Sequence, residues 1–405
     1  MSAQLVEQNA MDTGKKHLAS LDSLRGIGLI LIFGDHFIYP VPYIEFGWIA
    51  LWTFFVLSGY LITEGLLKMR TLPLGQYFGR FYLKRAFRIL PAFFVFFPIA
   101  VALYFIFPRW LAFGSSLSHY WINIATFTFN QYQLRAIAAG GFWFAHLWSL
   151  SVEEQFYVIW PWLIFFLPMK WLKKVVPAWI ILAPVLRLIL PSLYGVGQAR
   201  AHIFADSSLL CQADAFAMGG CVAIFRARLP HLSKKLLWIM TIAVIAIGLV
   251  NYLAGASAAG SYWRTLGLPT QFFGQFNYQY VWGYSVINVW AAALILACLQ
   301  GTAPAILNFP PLVFVGRISY GAYLFHGPLL GIYFYYLRPI DAFSVRGLVI
   351  FLIWFANVIV VSWLSFRFIE VWFLRFKNTL GGKQRAPIQA EPSPELPPVK
   401  RPVHE

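Results

Sequence analysis

Long apolar runs separated by short polar segments recur along the whole chain. Ten of these runs contain seventeen or more residues, which is the length that a helix needs to cross the hydrocarbon of a bilayer. They lie near residues 21–40, 47–67, 89–107, 148–168, 172–190, 209–225, 236–254, 283–300, 312–336 and 348–372. The pattern predicts an all-α polytopic membrane protein with about ten transmembrane helices. A transmembrane barrel would instead show short segments of alternating hydrophobicity.

The remaining segments predict a single domain with two tails. Residues 117–130 form a short apolar segment interrupted by polar residues, and we interpret it as interfacial or re-entrant. Residues 1–20 lack the apolar core and cleavage site of a signal peptide, so we expect them to remain as a cytoplasmic N-terminal tail. Residues 378–405 are rich in Pro and polar side chains, which predicts a disordered cytoplasmic tail. The transmembrane domain is then expected over 21–377.

Composition agrees with a membrane protein, and the charge follows the topology. Of the 405 residues, 60% are hydrophobic and only 11% are charged, against about 25% charged in a soluble domain. If the N-terminus is cytoplasmic, only six of the 31 Lys and Arg residues fall in outer loops. That bias is the positive-inside rule, so the net charge of +16 does not indicate a nucleic-acid partner. The three Cys residues lie in predicted spans without metal-type spacing, so no metal site is expected.

Ionisable side chains in the first span are the strongest sign of function. The stretch "LDSLRGIGLILIFGDHF" places Arg25 and His36 eleven residues apart, on one helical face and roughly 16 Å apart along the axis. Asp35 points about 100° away from His36, which makes it a poor candidate for orienting the imidazole. Arg25 can instead snorkel to the interface, and His36 can serve a structural hydrogen bond between helices.

Two further stretches have both structural and functional interpretations. In "FFVLSGYLIT", Ser58 and Gly59 permit close helix packing or the approach of a substrate to the backbone. In "RFYLKRAFRILP", Arg85 and Arg88 share a helical face. They can anchor anionic lipid or hold the phosphates of a cytosolic ligand, because Arg pairs with phosphate through two hydrogen bonds.

Polar residues also recur in later spans. In "LWSLSVEEQFYVIWP", Glu153 can complete a helix capping box or act on a substrate, and Tyr157 fits an interfacial aromatic belt. In "GRISYGAYLFH", Ser319, Tyr323 and His326 form one polar stripe at helical spacing. Two more ionisable features are Asp214, within a span, and the spacing of Arg367 and Glu370, which predicts a structural pair.

Taken in order, these five stretches resemble the acyltransferase-3 family of integral membrane acyltransferases, which O-acylate bacterial surface and secreted glycans. The resemblance covers residues 20 to about 375. It implies a multi-pass protein of the bacterial cell (inner) membrane, in contact with membrane lipids. It also implies acyl-CoA, with acetyl-CoA favoured, as a co-substrate, no permanently bound cofactor, and a polysaccharide, lipopolysaccharide or exopolysaccharide as the glycan acceptor.

The resemblance also assigns roles to individual residues. Arg25 and His36 match the family's arginine–histidine pair, whose histidine is taken as essential for acyl transfer. Arg85 and Arg88 match its paired arginines on the acyl-CoA side, and Glu153 matches the carboxylate of its Trp-Ser-Leu motif. The substrate-binding residues implied in the same way are Ser58, Tyr60, Ser319, Tyr323 and His326.

Two positions depart from the family pattern. Gln212 stands where many members have Arg, and Glu370 is not followed by Xaa-Pro. These departures leave the roles of Asp214 and Glu370 open. Some members carry an additional extracytoplasmic esterase-like domain, and none is seen here, so direct transfer or transfer through a partner protein is expected.

In the expected reaction, His36 is a general base towards a sugar hydroxyl or a covalent acyl carrier, and Glu153 orients either the acceptor or His36. The main alternative function is a transporter or flippase for a glycan or lipid-linked precursor, because intramembrane charges also line transport pathways. A receptor or assembly role without chemistry is a second alternative.

Overall fold

The fold was obtained as a computed structural model that describes residues 3–38, 47–106, 116–132, 142–259, 279–337, 340–373 and 375. The described residues form helices joined by turns, with no β-strand among them. The predicted tail at 378–405 lies outside the described residues. The α-helices, in chain order, are α1 Ala3–Ile38, α2 Gly47–Met69, α3 Leu74–Ile106, α4 Ser116–Ala125, α5 Phe142–Ala145, α6 Leu147–Phe166, α7 Met169–Leu193, α8 Gln198–Ser207, α9 Leu209–Phe225, α10 Lys234–Ala259, α11 Gln279–Gln300, α12 Pro310–Arg317, α13 Ser319–Leu337 and α14 Val345–Ser365.

Several of these helices are suited to crossing a bilayer. By length and composition, five described helices qualify, within α2, α3, α7, α11 and the segment Val345–Phe373. A sixth span is added if Arg200–Ser207 and Leu209–Phe225, which are bent by 53°, are counted together. The ten predicted spans and the cytoplasmic position of both termini stay predictions. One reason for the lower number is that α1 holds three charged residues, Asp22, Arg25 and Asp35, within a single bilayer length.

The outward face of several helices is strongly apolar. Ile181 on α7, Ile242 on α10 and Leu352 on α14 are all exposed, in company with many other large hydrophobic side chains. Apolar surface of this extent is far more than a soluble monomer leaves in contact with water, and it matches the hydrocarbon of a membrane.

Two predicted segments differ from the observed helices. The predicted ninth span, 312–336, is broken at Ile318, where α12 ends and α13 begins. The segment 117–130 contains the ten-residue helix α4, with non-helical backbone angles at Tyr120, followed by a short 3₁₀-helix at Phe129–Tyr132. At 1.5 Å per residue, α4 is too short to cross a bilayer by itself.

Glycine pairs allow two pairs of helices to cross in backbone contact. A Cβ atom added to Gly59 of α2 would lie 2.1 Å from the carbonyl oxygen of Phe216, and one added to Gly219 of α9 would lie 1.9 Å from that of Val56. The same closeness joins α1 to α12, where a Cβ on Gly316 would lie 1.7 Å from the carbonyl oxygen of Asp22. Small residues permit this approach in membrane helices, and it fixes the positions of α1 and α2 around the site.

A fully buried ion pair joins α7 to α9. The Arg187 guanidinium donates to the Asp214 carboxylate, and both side chains are completely buried. Ser285 also donates to Asp214, at 2.7 Å, and Arg187 donates to the carbonyl oxygen of Cys211 at 2.7 Å. These bonds satisfy Asp214 within the helix bundle, away from the cavity described below.

The predicted pairing of Arg367 with Glu370 is wrong. A π-helical turn at Phe366–Glu370 follows α14 and changes the angular spacing of the two residues. Glu370 is therefore buried, close to Gly321 of α13 and to the charge of Arg88, whereas Arg367 is exposed.

Candidate active site

A polar cavity of about 120 Å³ lies between α1, α2, α3, α6 and α13. Its apolar lining comes mainly from α2. The polar lining residues are Arg25, Ser58, Arg85, Arg88, Ser149, Glu153, Glu154, Tyr157, Ser319, Tyr320 and Tyr323. A cavity with so many ionisable groups inside an apolar bundle is the default candidate for a site of binding or chemistry.

Three arginines from two helices contribute to this cavity. Arg25 on α1 is half-buried and forms an ion pair with Asp22 at 2.8 Å. The Arg85 guanidinium on α3 stacks over the Tyr157 ring, 5.1 Å from its centroid, and Arg88 follows one turn later. Because Arg88 is exposed, this end of the cavity reaches the surface of the protein. Converging guanidinium groups at a cavity mouth are suited to hold a phosphorylated ligand.

The carboxylate of Glu153 lies at the centre of one wall. Its Oε1 atom accepts hydrogen bonds from the hydroxyl groups of Ser58 on α2 and Tyr157 on its own helix α6. The two hydroxyl oxygens lie 3.4 Å from each other. Bonds to an ionised carboxylate are the stronger kind, so this arrangement holds Glu153 in one orientation.

Three imidazole rings form a cluster next to the cavity. The Nδ1 atom of His36 on α1 lies 2.8 Å from Nε2 of His326 on α13, with the ring centroids 5.0 Å apart and the ring planes inclined by 20°. The His146 ring lies 4.5 Å from the ring of His326. His326 is completely buried and stacks on Phe33 at 4.8 Å. Within the described residues, these rings do not form a metal-binding arrangement.

Tyr323 borders both the cavity and the histidine cluster. Its hydroxyl donates to the carbonyl oxygen of His146 at 2.9 Å and lies 2.6 Å from the Ser149 hydroxyl, which also lines the cavity. Its own carbonyl oxygen lies 2.7 Å from Nδ1 of His326. The structure therefore connects the arginine-lined cavity to His36 through Tyr323 and His326.

The structure brings most of the predicted site residues to one place. Arg25, Arg85, Arg88, Ser58, Glu153, Ser319 and Tyr323 all line the cavity. His36 and His326 are not among the lining residues and lie in the adjoining cluster. Tyr60 points elsewhere, with its hydroxyl 3.5 Å from Arg226. Their functional roles stay predictions.

Three further residues of the cavity wall were not predicted to belong to the site. Tyr157 was expected in an interfacial belt, yet it is buried in the cavity wall against Glu153 and Arg85. Its position four residues after Glu153, on the same helical face, was the available signal. Tyr320 and Glu154 also line the cavity. Glu154 directly follows Glu153 in the same motif, whereas no pattern in the sequence distinguished Tyr320.

The chain belongs to the family whose model, Acyl_transf_3, is described as an acyltransferase domain. The match covers residues 18–367. This finding confirms the resemblance predicted from the five motifs.

Three named relatives are similar to most of the chain. Peptidoglycan O-acetyltransferase OatA of Listeria monocytogenes is 27% identical over 376 residues, covering 88% of this chain and 56% of the relative. O-acetyltransferase OatA of Staphylococcus aureus is 25% identical over 381 residues, covering 88% and 57%. Putative peptidoglycan O-acetyltransferase YrhL of Bacillus subtilis is 25% identical over 330 residues, covering 78% and 49%. The chain spans about half the length of these curated relatives, and no solved structure shows significant similarity to it.

Proposed function

We propose that this protein is a membrane O-acyltransferase that moves an acyl group, most simply acetyl, from cytosolic acyl-CoA to a hydroxyl group of a surface or secreted glycan. Family membership supports acyl transfer, and the named relatives are O-acetyltransferases, two of them named for peptidoglycan. Peptidoglycan is accordingly the first acceptor to test.

One observation carries this proposal: a single cavity holds three arginines and a fixed glutamate, and Tyr323 connects its wall to His36. The arginines offer charge for the phosphates of a donor, and the histidine offers a basic nitrogen for transfer. A binding protein would need the first feature, whereas acyl transfer needs both.

The donor is proposed to bind with its phosphates at Arg25, Arg85 and Arg88. Arg88 lies at the open end, so the nucleotide part of acyl-CoA can stay outside while the thioester arm enters the bundle. Each charge-assisted bond to phosphate contributes about 1.5–3 kcal/mol. On the topology predicted from the positive-inside rule, this end faces the cytoplasm.

The transfer step is proposed to use His36 in one of two ways. As a general base, the imidazole takes the proton of the acceptor hydroxyl, whose oxygen attacks the thioester carbonyl. The carbon–sulfur bond then breaks, and the proton passes to the departing thiolate of CoA. As a nucleophile, His36 attacks the thioester carbonyl, the carbon–sulfur bond breaks, and CoA leaves as the thiolate. The acceptor hydroxyl then attacks the acyl-imidazole, the carbon–nitrogen bond breaks to regenerate the imidazole, and the hydroxyl proton passes to the CoA thiolate.

Glu153 is proposed to orient the acceptor rather than His36. Its hydrogen bonds run to Ser58 and Tyr157, and it lines the cavity, whereas His36 is not among the lining residues. A carboxylate held by two hydroxyl groups is a firm acceptor for a sugar hydroxyl in the cavity.

The test supplies acetyl-CoA labelled in its acetyl group to the cytoplasmic face of membranes that contain the whole protein, with peptidoglycan fragments at the other face. We expect label on the glycan, in an ester that mild alkali releases. A membrane that moves unmodified glycan and transfers no label would identify a flippase instead. Mass spectrometry of glycan from cells with and without the gene identifies the acyl group and the acceptor together.

A further inference from the structure

We infer that His326 is a positioning residue that fixes the tautomer of His36 and keeps the lone pair of His36 on Nε2. The inference rests on the proposed function, because it concerns how His36 is prepared for acyl transfer. It assigns to His326 a role other than contact with the substrate.

A contact with the backbone of its own helix fixes the tautomer of His326. Its Nδ1 atom lies 2.7 Å from the carbonyl oxygen of Tyr323, three residues earlier on α13. A carbonyl oxygen only accepts hydrogen bonds, so Nδ1 of His326 carries a hydrogen. In the neutral ring, the lone pair of His326 must then lie on Nε2.

The tautomer of His326 determines which nitrogen of His36 carries its hydrogen. Nε2 of His326 lies 2.8 Å from Nδ1 of His36, and one of the two nitrogens must donate. Since Nε2 of His326 holds a lone pair, Nδ1 of His36 is the donor. The lone pair of a neutral His36 is then on Nε2, the nitrogen that can accept a proton or attack an acyl carbon.

The packing around His326 prevents the ring from turning over. Its side chain is completely buried, stacked on Phe33 at 4.8 Å and 4.5 Å from the ring of His146. The accepting carbonyl belongs to the same helix, so its position does not depend on a loop. A buried ring anchored in this way imposes the same tautomer in every turnover.

The fixed tautomer of His36 is needed for both the general-base route and the nucleophilic route. A His36 ring that carries its hydrogen on Nε2 is neither a base nor a nucleophile at that nitrogen. Loss of the group that fixes the tautomer of a catalytic histidine costs about 10⁴-fold in kcat in serine proteases. Here we expect at least a 100-fold effect, because His326 fixes the orientation of the His36 ring as well as its tautomer, and a misplacement of about 1 Å can cost about 10²-fold in rate.

Two closely related substitutions separate this role from packing. In His326→Gln the side-chain amide reaches about as far as Nε2 and can present its oxygen to His36. In His326→Asn the amide reaches only as far as Nδ1, so it can bond to the Tyr323 carbonyl but not to His36. We expect His326→Asn to lower kcat at least 100-fold with KM for acetyl-CoA unchanged, and His326→Gln to restore at least 10-fold of that loss.

The controls distinguish failure of the inference from failure of the proposed function. An inactive wild-type protein would refute the proposed function. If the wild-type protein is active, equal kcat values in His326→Asn, His326→Gln and the exposed control variant His231→Gln would refute only the positioning role of His326. Equal losses in the Asn and Gln variants would also refute it.

A measurement on the wild-type protein avoids any loss of folding in the variants. In protein labelled with ¹⁵N at histidine, the ring signals of His36 are identified by their absence in His36→Gln. We expect a protonated Nδ1 and an unprotonated Nε2. The reverse pattern, or an equal mixture, would overturn the inference.

Discussion

The hydroxyl group of Ser58 donates a hydrogen bond to the carboxylate of Glu153, 95 residues further along the chain. This contact crosses the cavity wall from α2 to α6 and is shared with the hydroxyl of Tyr157. Together, Ser58, Glu153 and Tyr157 form one rigid hydrogen-bond acceptor beside three arginines.

Glu153→Gln should lower kcat/KM for acyl transfer by about 10- to 100-fold. The substitution replaces two charge-assisted hydrogen bonds with weaker neutral ones, and each charged bond is worth about 1.5–3 kcal/mol. The matched control is Glu64→Gln on α2, whose carboxylate pairs with Lys68 and Arg226 outside the cavity. Equal activities of the two variants would exclude Glu153 from the reaction.

His36→Ala should abolish acyl transfer while the protein remains inserted and binds acetyl-CoA. Without the imidazole, no nitrogen is present to act as the general base or to carry the acyl group. The rate of acyl transfer should therefore fall by about 10²–10⁴-fold or more. Transfer of labelled acetyl and binding of acetyl-CoA are measured on the same membranes. Near-normal transfer by His36→Ala would remove the mechanism, and His231→Ala supplies an exposed histidine as the control.

Arg85→Ala combined with Arg88→Ala should raise KM for acetyl-CoA by about 10-fold or more, because charge-assisted bonds to phosphate are lost. The control on the same helix is Arg80→Ala with Lys84→Ala, which removes two exposed cations that do not line the cavity. If the arginines serve only to anchor anionic lipid, both double variants should behave alike. A KM that rises only in the Arg85 and Arg88 variant supports binding of the donor.

Gly219→Ala should lower the thermal midpoint of the detergent-solubilised protein. The new Cβ atom would lie 1.9 Å from the carbonyl oxygen of Val56, so α2 and α9 must move apart, and overpacking of this kind costs about 1–3 kcal/mol. Gly65→Ala on α2 is the control, because beyond its own stretch of helix backbone nothing lies within 4 Å of its added Cβ. A midpoint for Gly219→Ala at or above that of Gly65→Ala would contradict the described helix crossing.

Asp214→Ala should destabilise the protein by about 3–5 kcal/mol, because it leaves the fully buried Arg187 without its carboxylate. Adding Arg187→Met to this variant should recover part of the loss, since it removes the unpaired charge. Unfolding measured for both single variants and the double variant gives the coupling energy. Strict additivity would show that the pair is not energetically coupled.

The helices were largely predictable because their signal is local. The predicted span at 209–225 coincides with α9, and those at 47–67 and 148–168 lie within two residues of α2 and α6 at each end. The break at Ile318 falls at the polar positions Gly316, Arg317 and Ser319, which the predicted span ran through because the apolar residues on both sides continue the run. The π-helical turn after α14 leaves no mark in the apolar pattern, and it separated Arg367 from Glu370.

The site was predictable only in part. Seven of the residues singled out by motif line one cavity, but Tyr60 has its hydroxyl near Arg226 instead. The contacts of Gln212 show why it can stand where many family members have Arg. Its amide bonds Trp52 and the Ala205 backbone, while the cation for Asp214 comes from Arg187 on another helix.

By itself, the sequence determined the helical membrane class and the family, because apolar runs and short ordered motifs are properties of neighbouring residues. Only the tertiary structure decided that His36 meets His326 across 290 residues, that Tyr157 turns inward to Glu153, and that Arg187 neutralises Asp214. These contacts depend on how each helix is rotated and on where glycine pairs let two helices touch. The sum of packing over the whole bundle sets that rotation, and no local pattern records it.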